Sequence, residues 1–114
     1  MDNKQRVIQE HVPGRQMTLA HIIVNPDKSI YDHLPPSGGK ASALGIMGIT
    51  PAETGIIIAD IAMKAAGVRI ISMDVKSGSV IVAGTVSEVE ASVLAVLEYV
   101  GKILNFDICK ITKT

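Results

Sequence analysis

Residues 43–104 read ALGIMGITPAETGIIIADIAMKAAGVRIISMDVKSGSVIVAGTVSEVEASVLAVLEYVGKIL, and this stretch decides the fold. The spacing of its apolar residues predicts a strand, a helix, a β-hairpin and a second helix, in that order. Two helices on one face of an antiparallel-rich sheet form a layered α+β fold. The stretch holds no cluster of catalytic residues, which favours a protein that works by packing against copies of itself.

The first helix of this stretch has sequence signals at both ends. Thr50 is predicted to cap the helix, with Pro51 at the first helical position and Glu53 completing a capping box. Gly67 is predicted to end the helix as a C-terminal cap. Apolar residues at helical spacing predict the buried stripe of this helix, which consists of Ile57, Ile58, Ile61, Ala62 and Ala65.

A hairpin and a second helix follow in the sequence. The β-branched runs 68–75 and 80–86 are predicted to be strands that flank a glycine-containing loop at 76–79. Ser87 is predicted to cap the second helix, because Glu90 stands three residues later, where it completes a capping box. The predicted buried face of this helix consists of Val89, Val93, Val96, Leu97, Val100, Ile103 and Leu104.

Shorter elements are predicted on either side of this stretch. Residues 17–24 and 106–111 are predicted strands, and residues 7–12 alternate in a way that suits another short strand. The loop between 25 and 42 is predicted to contain at most about two turns of helix. Asn25 would cap that helix and Pro26 would take its first position.

The composition bounds the class of protein. A chain of 114 residues predicts one domain, with a strand and turn over 1–14 and a core over 15–114. Hydrophobic residues make up 47% of the chain and charged residues 19%, which argues against disorder. A net charge of zero gives no long-range attraction to nucleic acid. No apolar run suggests a membrane span or a signal peptide, so we expect a cytoplasmic protein.

Few side chains suggest chemistry. The three histidines, His11, His21 and His33, lie in different segments. His21 falls in an apolar strand, where a hydrogen-bonded core or interface histidine is favoured over a catalytic base. Cys109 has no Cys or His near it in sequence, which favours a structural thiol. We therefore expect no metal and no other cofactor.

Two surface features allow more than one interpretation. The hairpin loop consists of Lys76, Ser77, Gly78 and Ser79. It is either an ordinary turn, which one chain alone favours, or a loop whose backbone N–H groups line a narrow opening. Lys64, near the end of the first helix, has its simplest role as a solvated lysine that complements the helix dipole.

A long stretch of the chain resembles the core of the bacterial microcompartment shell domain. The sequence AETGIIIADIAMKAAGVRIISMDVKSGSVIVAGTVSEVEASVL carries the helix pattern of that family at Ala59, Asp60, Lys64 and Ala66, and the loop pattern at 77–79. The opening RVIQEHVPGRQMTLAHIIVNP and the ending VGKILNFDICKITKT resemble the circularly permuted shell proteins of the ethanolamine- and propanediol-utilization types. The resemblance covers nearly the whole chain and is weakest over 27–42.

This resemblance implies a structural protein without enzymatic activity. The family forms cyclic hexamers that tile into a shell around encapsulated metabolic enzymes, so the implied partners are copies of this chain, other shell proteins and those enzymes. The implied pathway is of the ethanolamine or choline type. Lys64 would lie at the edge between hexamers, and the 76–79 loop would line the pore at the sixfold axis. The implied axial β-barrel strand consists of Arg6, Val7, Ile8, Gln9, Glu10, His11 and Val12.

The chain departs from the family pattern at two positions. Ordinary shell domains often carry an arginine that supports the edge contact, and the nearest basic residue late in the second helix here is Lys102. Some permuted relatives with bent hexamers have a glycine where this chain has Ser42. Whether the hexamer is flat or bent therefore stays open at this point.

Two other functions remain open from the residues alone. The chain would be an oligomeric small-molecule-binding regulatory module if loop 25–42 or the 76–79 hairpin held a ligand. It would be a small oligomeric enzyme only if His21 or Lys76 met a carboxylate from a neighbouring subunit.

Overall fold

The computed structural model describes residues 14–36 and 39–114, so the predicted barrel strand at 6–12 lies outside the described residues. The secondary structure follows the predicted order over most of this part of the chain. Its elements are β1 (Gln16–Val24), a 3₁₀ helix (Lys28–His33), β2 (Ala43–Thr50), α1 (Thr54–Ala65), β3 (Arg69–Asp74), β4 (Ser79–Gly84), α2 (Val86–Lys102) and β5 (Thr112–Lys113).

The strands form one sheet in the order β3-β4-β2-β1-β5. The three pairings among β3, β4, β2 and β1 are antiparallel, whereas β1 and β5 are parallel. Helix α1 packs mainly over β3 and β4, and α2 packs mainly over β2 and β1. The predicted α+β fold, with two main helices and an antiparallel-rich sheet, is therefore confirmed.

The main core lies between the helices and one face of the sheet. Alternate residues of β2, including Met47 and Ile49, are buried there against Ile58 of α1 and Val93 of α2. Full burial of an aliphatic side chain of this size contributes about 1.5–3 kcal/mol to stability. The helices thus cover this face, and its side chains form the larger of the two buried clusters.

A smaller apolar cluster lies on the opposite face of the sheet. It consists of Leu44, Ile71 and Ala83, and the 3₁₀ segment covers it through Tyr31 and Leu34. The Tyr31 hydroxyl donates to the Ala41 carbonyl at 2.7 Å and so ties the covering segment to the strand that follows. The two helices therefore cover one face of the sheet, and the 3₁₀ segment covers one end of the other face.

The start of α1 differs from the prediction. Thr50 is the last residue of β2, where it pairs with Gln16, and the helix begins at Thr54. Glu53 occupies the cap position without a side-chain hydrogen bond. The predicted Thr50 cap and its capping box are therefore wrong, because sheet pairing holds Thr50 in the extended conformation. Backbone carbonyls bond the first free N–H groups instead, as Thr54 N–H donates to Pro51 at 3.0 Å.

The end of α1 and part of its predicted stripe also differ. The helix ends at Ala65 and Ala66 is extended, so Gly67 is not the cap. A Cβ at Gly67 would lie 2.7 Å from the Glu88 carboxylate, so a larger residue there would displace that side chain. Ile57 and Ala65 are exposed, while Ile58 and Ala62 are buried as predicted. The stripe is narrower than predicted because α1 contacts the rest of the domain on one side only.

Helix α2 begins two residues earlier than the predicted cap implies. Thr85, not Ser87, caps it: the Thr85 hydroxyl accepts from Glu88 N–H at 3.2 Å, and Glu88 Oε1 accepts from Thr85 N–H at 2.9 Å. The predicted buried face is confirmed at Val89, Val93, Val96, Leu97 and Val100. Ile103 is exposed instead, because the helix ends at Lys102 and the chain turns away.

The segment after α2 follows β1 without forming the predicted strand at 106–111. Its backbone bridges to β1 at Gln16–Asp107 and again at His21–Thr112, and both pairs are 91 residues apart in sequence. The segment thus keeps one register along β1 but joins the sheet only at the two ends. Strand β1 also carries a bulge between Met17 and Leu19, in its pairing with β2.

The loop between β1 and β2 contains two turns of 3₁₀ helix, which confirms the predicted length. Asp27 caps this helix by accepting from Ser29 N–H at 3.0 Å, so the predicted Asn25 cap is wrong. Asn25 instead has a left-handed backbone, with φ of 51°, where β1 ends. Its N–H donates to the Ser42 carbonyl at 2.8 Å and closes the loop at its base.

Candidate functional site

The hairpin loop between β3 and β4 is organised by Asp74. The Asp74 carboxylate accepts from the backbone N–H of Lys76 at 2.9 Å, and Gly78 N–H donates to the Asp74 carbonyl at 2.9 Å. The Lys76 N–H and then the Ser77 hydroxyl lower the pKa of Asp74 below its ordinary value. The N–H groups of Lys76 and Gly78 are therefore hydrogen-bonded within the loop. Val75, Lys76 and Ser77 are exposed at its tip.

The same loop is fixed to the junction between β2 and α1. Gly78 has a left-handed backbone with φ of 78°, and its carbonyl accepts from Ile49 N–H at 3.0 Å. A Cβ at Gly78 would lie 2.1 Å from the Ile49 carbonyl oxygen and 3.0 Å from Ala52 Cα. Only glycine meets both requirements, so the loop has a fixed position relative to the sheet.

One end of the sheet brings the predicted pore loop beside the first residue of β1. We call it the hairpin end, and it contains Gln16, Thr50, the 76–79 loop and Asp107. The pairings Gln16–Thr50, Gly48–Ser79 and Gln16–Asp107 place these elements side by side. The described chain begins at Gly14, two residues before β1. The predicted axial strand at 6–12 is therefore connected to the same end of the subunit as the predicted pore loop.

Lys64 lies away from the hairpin end. Helix α1 begins beside the loop, where a Cβ on Gly55 would lie 3.7 Å from Gly78 Cα. The helix then runs 12 residues, about 18 Å at 1.5 Å per residue, before it ends next to Lys64. The Lys64 side chain is 76% exposed, and its ammonium lies 2.9 Å from the Asp60 carboxylate one turn earlier. The hydrogen bond to Asp60, together with its charge, raises the pKa of Lys64.

An exposed apolar surface on α1 was missed by the sequence reasoning. Ile56 is 53% exposed, Ile57 is 43% exposed and Met63 is 53% exposed. We call these three residues the α1 outer face. Residues 56–58 are three consecutive isoleucines, which cannot all lie on one narrow helical stripe. That run was the sequence signal for a second apolar surface.

A second apolar surface is a groove between α2 and the segment after it. We call it the α2 groove; its volume is about 480 Å³. Asn105, with a left-handed φ of 58°, turns the chain out of α2 and back along it. Gly101 makes room for Ile108, because a Cβ there would lie 3.2 Å from an Ile108 methyl group. The groove is lined by Leu94, Leu97, Glu98, Gly101, Lys102, Asn105, Phe106, Asp107 and Ile108.

His21 and Cys109 have structural surroundings. The two ring nitrogens of His21 lie 2.6 Å from the Thr112 hydroxyl and 2.9 Å from the Thr114 hydroxyl. The predicted hydrogen-bonded histidine is confirmed, and it holds the C-terminal segment against β1. Burial raises the pKa of the Cys109 thiol, which keeps it protonated and unreactive near neutral pH.

Residues 14–36 and 39–114 contain no group of three or more His, Cys, Asp or Glu side chains placed to hold a metal ion. None of the helices described is long and apolar enough to cross a membrane.

Comparison with known proteins identifies similar chains. The BMC domain family profile matches residues 43–112. The bacterial microcompartment shell protein EutS of Salmonella typhimurium is 45% identical over 112 residues, which cover 98% of this chain and 99% of that protein. The shell protein PduU of the same organism is 44% identical over 109 residues, which cover 96% of this chain and 93% of PduU. A solved structure of CutR as a flat hexamer superposes with a TM-score of 0.83 at 42% identity and covers 96% of this chain and 92% of that one.

Proposed function

Because this chain belongs to the BMC domain family and is a bacterial microcompartment shell protein, we propose that six copies form a ring around an axis at the hairpin end. The rings would then tile through the opposite end of each subunit. The observation that carries this proposal is the separation of the two site elements along α1. The loop at 76–79 lies at one end of the helix and Lys64 at the other. A ring that tiles needs one element near its axis and the other at its outer edge.

The axis of the proposed ring carries the hairpin loop and the axial strand. The Asp74 contacts and the Gly78 backbone keep the loop in one conformation, as a narrow pore requires. Residues 6–12 are proposed to pair with their symmetry copies in a β-barrel over that axis. Such pairing would remove an exposed edge strand. The position of Gln16, the first residue of β1, at the hairpin end supports this arrangement.

The proposed circular permutation is supported by the range of the family match. The profile covers residues 43–112, from the first residue of β2 to the first residue of β5, and excludes β1. Yet β1 lies between β2 and β5 in the sheet. A central strand outside the matched range is the arrangement expected when a strand has moved from one end of the chain to the other.

The outer edge of the proposed ring depends on Lys64. Its ammonium is exposed and Asp60 orients it, so it can reach a neighbouring ring. Lys102, the nearest basic residue to the arginine of ordinary shell domains, ends α2 and lines the groove together with Asp107 of the hairpin end. Lys102 is therefore an unsuitable replacement for that arginine, and Lys64 is proposed to make the edge contact without it.

The proposed role is structural and not catalytic. Both ring nitrogens of His21 already contact threonine hydroxyls, and the N–H groups of Lys76 and Gly78 donate to Asp74. These are the groups that an enzymatic site or a ligand site would have used. Other shell proteins and enclosed enzymes of an ethanolamine- or choline-type pathway are the proposed partners.

The oligomeric mass of the purified protein tests the proposal. Six chains of 12.0 kDa each have a combined mass of about 72 kDa. Size-exclusion chromatography with light scattering is expected to give that mass at micromolar concentration. A stable monomer under those conditions would overturn the proposed ring.

A further inference from the structure

We propose that the α1 outer face of one copy packs into the α2 groove of the next copy in the ring. This inference rests on the proposed ring and names the two surfaces that would close it. Both surfaces belong to this chain, so the proposed occupant of the groove is a second copy.

A ring with a sixfold axis requires a head-to-tail interface. Each copy must present two different surfaces that fit each other, since a self-complementary patch gives only a dimer. The α1 outer face and the α2 groove are two such surfaces, and both are apolar. One protrudes from a helix, while the other is concave with a volume of about 480 Å³. Exposed apolar patches of this kind mark interaction sites.

The two surfaces lie on opposite sides of the subunit. Helix α1 packs over β3 and β4, at one edge of the sheet. The segment that closes the groove runs beside β1, at the other edge, where Asp107 bridges to Gln16. A copy therefore cannot fill its own groove with its own α1 outer face. Neighbours in a ring, by contrast, bring opposite sides of two copies together.

The two surfaces also lie at matching distances from the proposed axis. Rotation about an axis keeps each residue at its own radius, so residues that meet across the interface must have similar radii. Ile56 and Ile57 stand in the first turn of α1, which begins at the hairpin end. The groove is built on the last turns of α2 and on Asp107, at the same end. Met63 and Lys64 lie farther out along α1, so Ile56 and Ile57 form the inner part of this surface and the Lys64 side chain stays available for the edge.

The charges at the inner ends of the two surfaces are complementary. Glu53 immediately precedes α1 and is exposed, and Lys102 lies on the rim of the groove at the last residue of α2. Both charges therefore lie toward the inner end of the proposed interface, one on each surface. Such a pair favours the correct neighbour and register more than it adds affinity.

Acidic substitutions in the full-length protein test the inference. Ile56→Asp and Leu94→Asp each place a charge at one of the two apolar surfaces. Each is expected to convert the hexamer to monomers in light scattering. Folding should survive, with an unchanged circular dichroism spectrum, because both side chains are about half exposed in the isolated subunit. The matched control is Ile30→Asp, an exposed isoleucine of the 3₁₀ helix, which is expected to leave the hexamer intact.

A cross-linking experiment covers the case in which an acidic variant fails to fold. The protein carries Ile57→Cys and Ile108→Cys together with Cys109→Ser, and a short bis-maleimide is added. A head-to-tail ring is expected to give a denaturing-gel ladder that reaches six chains. The control places both cysteines on the α1 outer face, as Ile57→Cys and Met63→Cys, and is expected to give no such ladder.

Charge reversal supplies an independent test of the pairing. Glu53→Lys and Lys102→Glu are each expected to raise the protein concentration below which hexamers dissociate. The double variant is expected to return that concentration to the wild-type value. Wild-type monomers would overturn the proposed ring itself. If the wild-type protein is a hexamer and both acidic variants are hexamers too, the proposed interface is wrong and the ring still holds. The same conclusion follows if the Ile57→Cys, Ile108→Cys protein gives no ladder.

Discussion

At the scale of single residues, the hairpin loop depends on the missing side chain of Gly78. The left-handed backbone there costs a residue with a Cβ about 1–2 kcal/mol. The Ile49 carbonyl leaves no room for that atom in addition, at 2.1 Å from the ideal Cβ position. The backbone cost and the steric cost can be measured apart, because Gly14 has a left-handed backbone but no atom near its Cβ position.

Gly78→Ala is expected to lower the free energy of unfolding by about 2–5 kcal/mol, from backbone strain plus about 1–3 kcal/mol for overpacking. Gly14→Ala is the matched control, because Gly14 has a φ of 82° and nothing within 4 Å of its Cβ position. It should lose only about 1–2 kcal/mol. Urea unfolding at a fixed protein concentration measures both. Equal losses in the two variants would show that the Ile49 contact does not fix the loop.

At the scale of elements, the start of α2 shows how neighbouring structure selects between two signals. The sequence TVSEVE contains two overlapping capping boxes, one from Thr85 to Glu88 and one from Ser87 to Glu90. Pairing of β4 with β2 ends at Gly84, so the next residue is free to cap the helix. The sheet therefore selects Thr85, and a pattern read along the chain alone cannot make that choice.

Thr85→Ala is expected to lower the free energy of unfolding by about 1 kcal/mol, because it removes the acceptor for the Glu88 N–H group. Ser87→Ala changes the same kind of side chain two residues later and is expected to have almost no effect. Thermal or urea unfolding of the two variants compares them directly. A larger loss of stability in Ser87→Ala than in Thr85→Ala would show that Ser87 is the cap, as the sequence pattern predicts.

The same reasoning explains which features were predictable from the sequence. Helices α1 and α2 and the hairpin were predictable because local apolar spacing sets them. The predicted Thr50 cap failed because sheet pairing holds Thr50 in β2. The predicted strand at 106–111 failed because that segment bridges to β1 only at Asp107 and again from Thr112, a long-range pairing that local alternation does not reveal. The family resemblance indicated Lys64 and the 76–79 loop as candidate site residues. Their placement toward opposite ends of the subunit became visible only with the sheet register. The α2 groove forms between distant segments and has no local signal.

At the scale of the whole molecule, the axial strand is the part of the proposed ring that can be removed cleanly. The main core is formed by β1, β2, β4 and both helices, all of which lie after residue 14. Deleting residues 1–12 is therefore expected to leave the ring assembled and to remove density over its axis in electron-microscopy class averages. Loss of all folding in the deletion variant would contradict the assignment of these residues to an axial barrel.

Tiling between rings is the property that depends on Lys64. Lys64→Asp replaces an exposed ammonium with a carboxylate beside Asp60, so repulsion between like charges replaces attraction at the proposed edge. The ring mass should stay the same in light scattering, because Ile56 and Ile57 of the proposed ring contact lie in the first turn of α1, nearer the axis than Lys64. Extended sheets seen by negative-stain microscopy should disappear. Lys28→Asp makes the same charge change in the 3₁₀ helix, on the other face of the β-sheet, and should keep them. If Lys64→Asp still forms extended assemblies of rings, Lys64 is only a solvated helix residue. If Lys64→Asp loses the ring itself, Lys64 belongs to the contact between subunits within the ring.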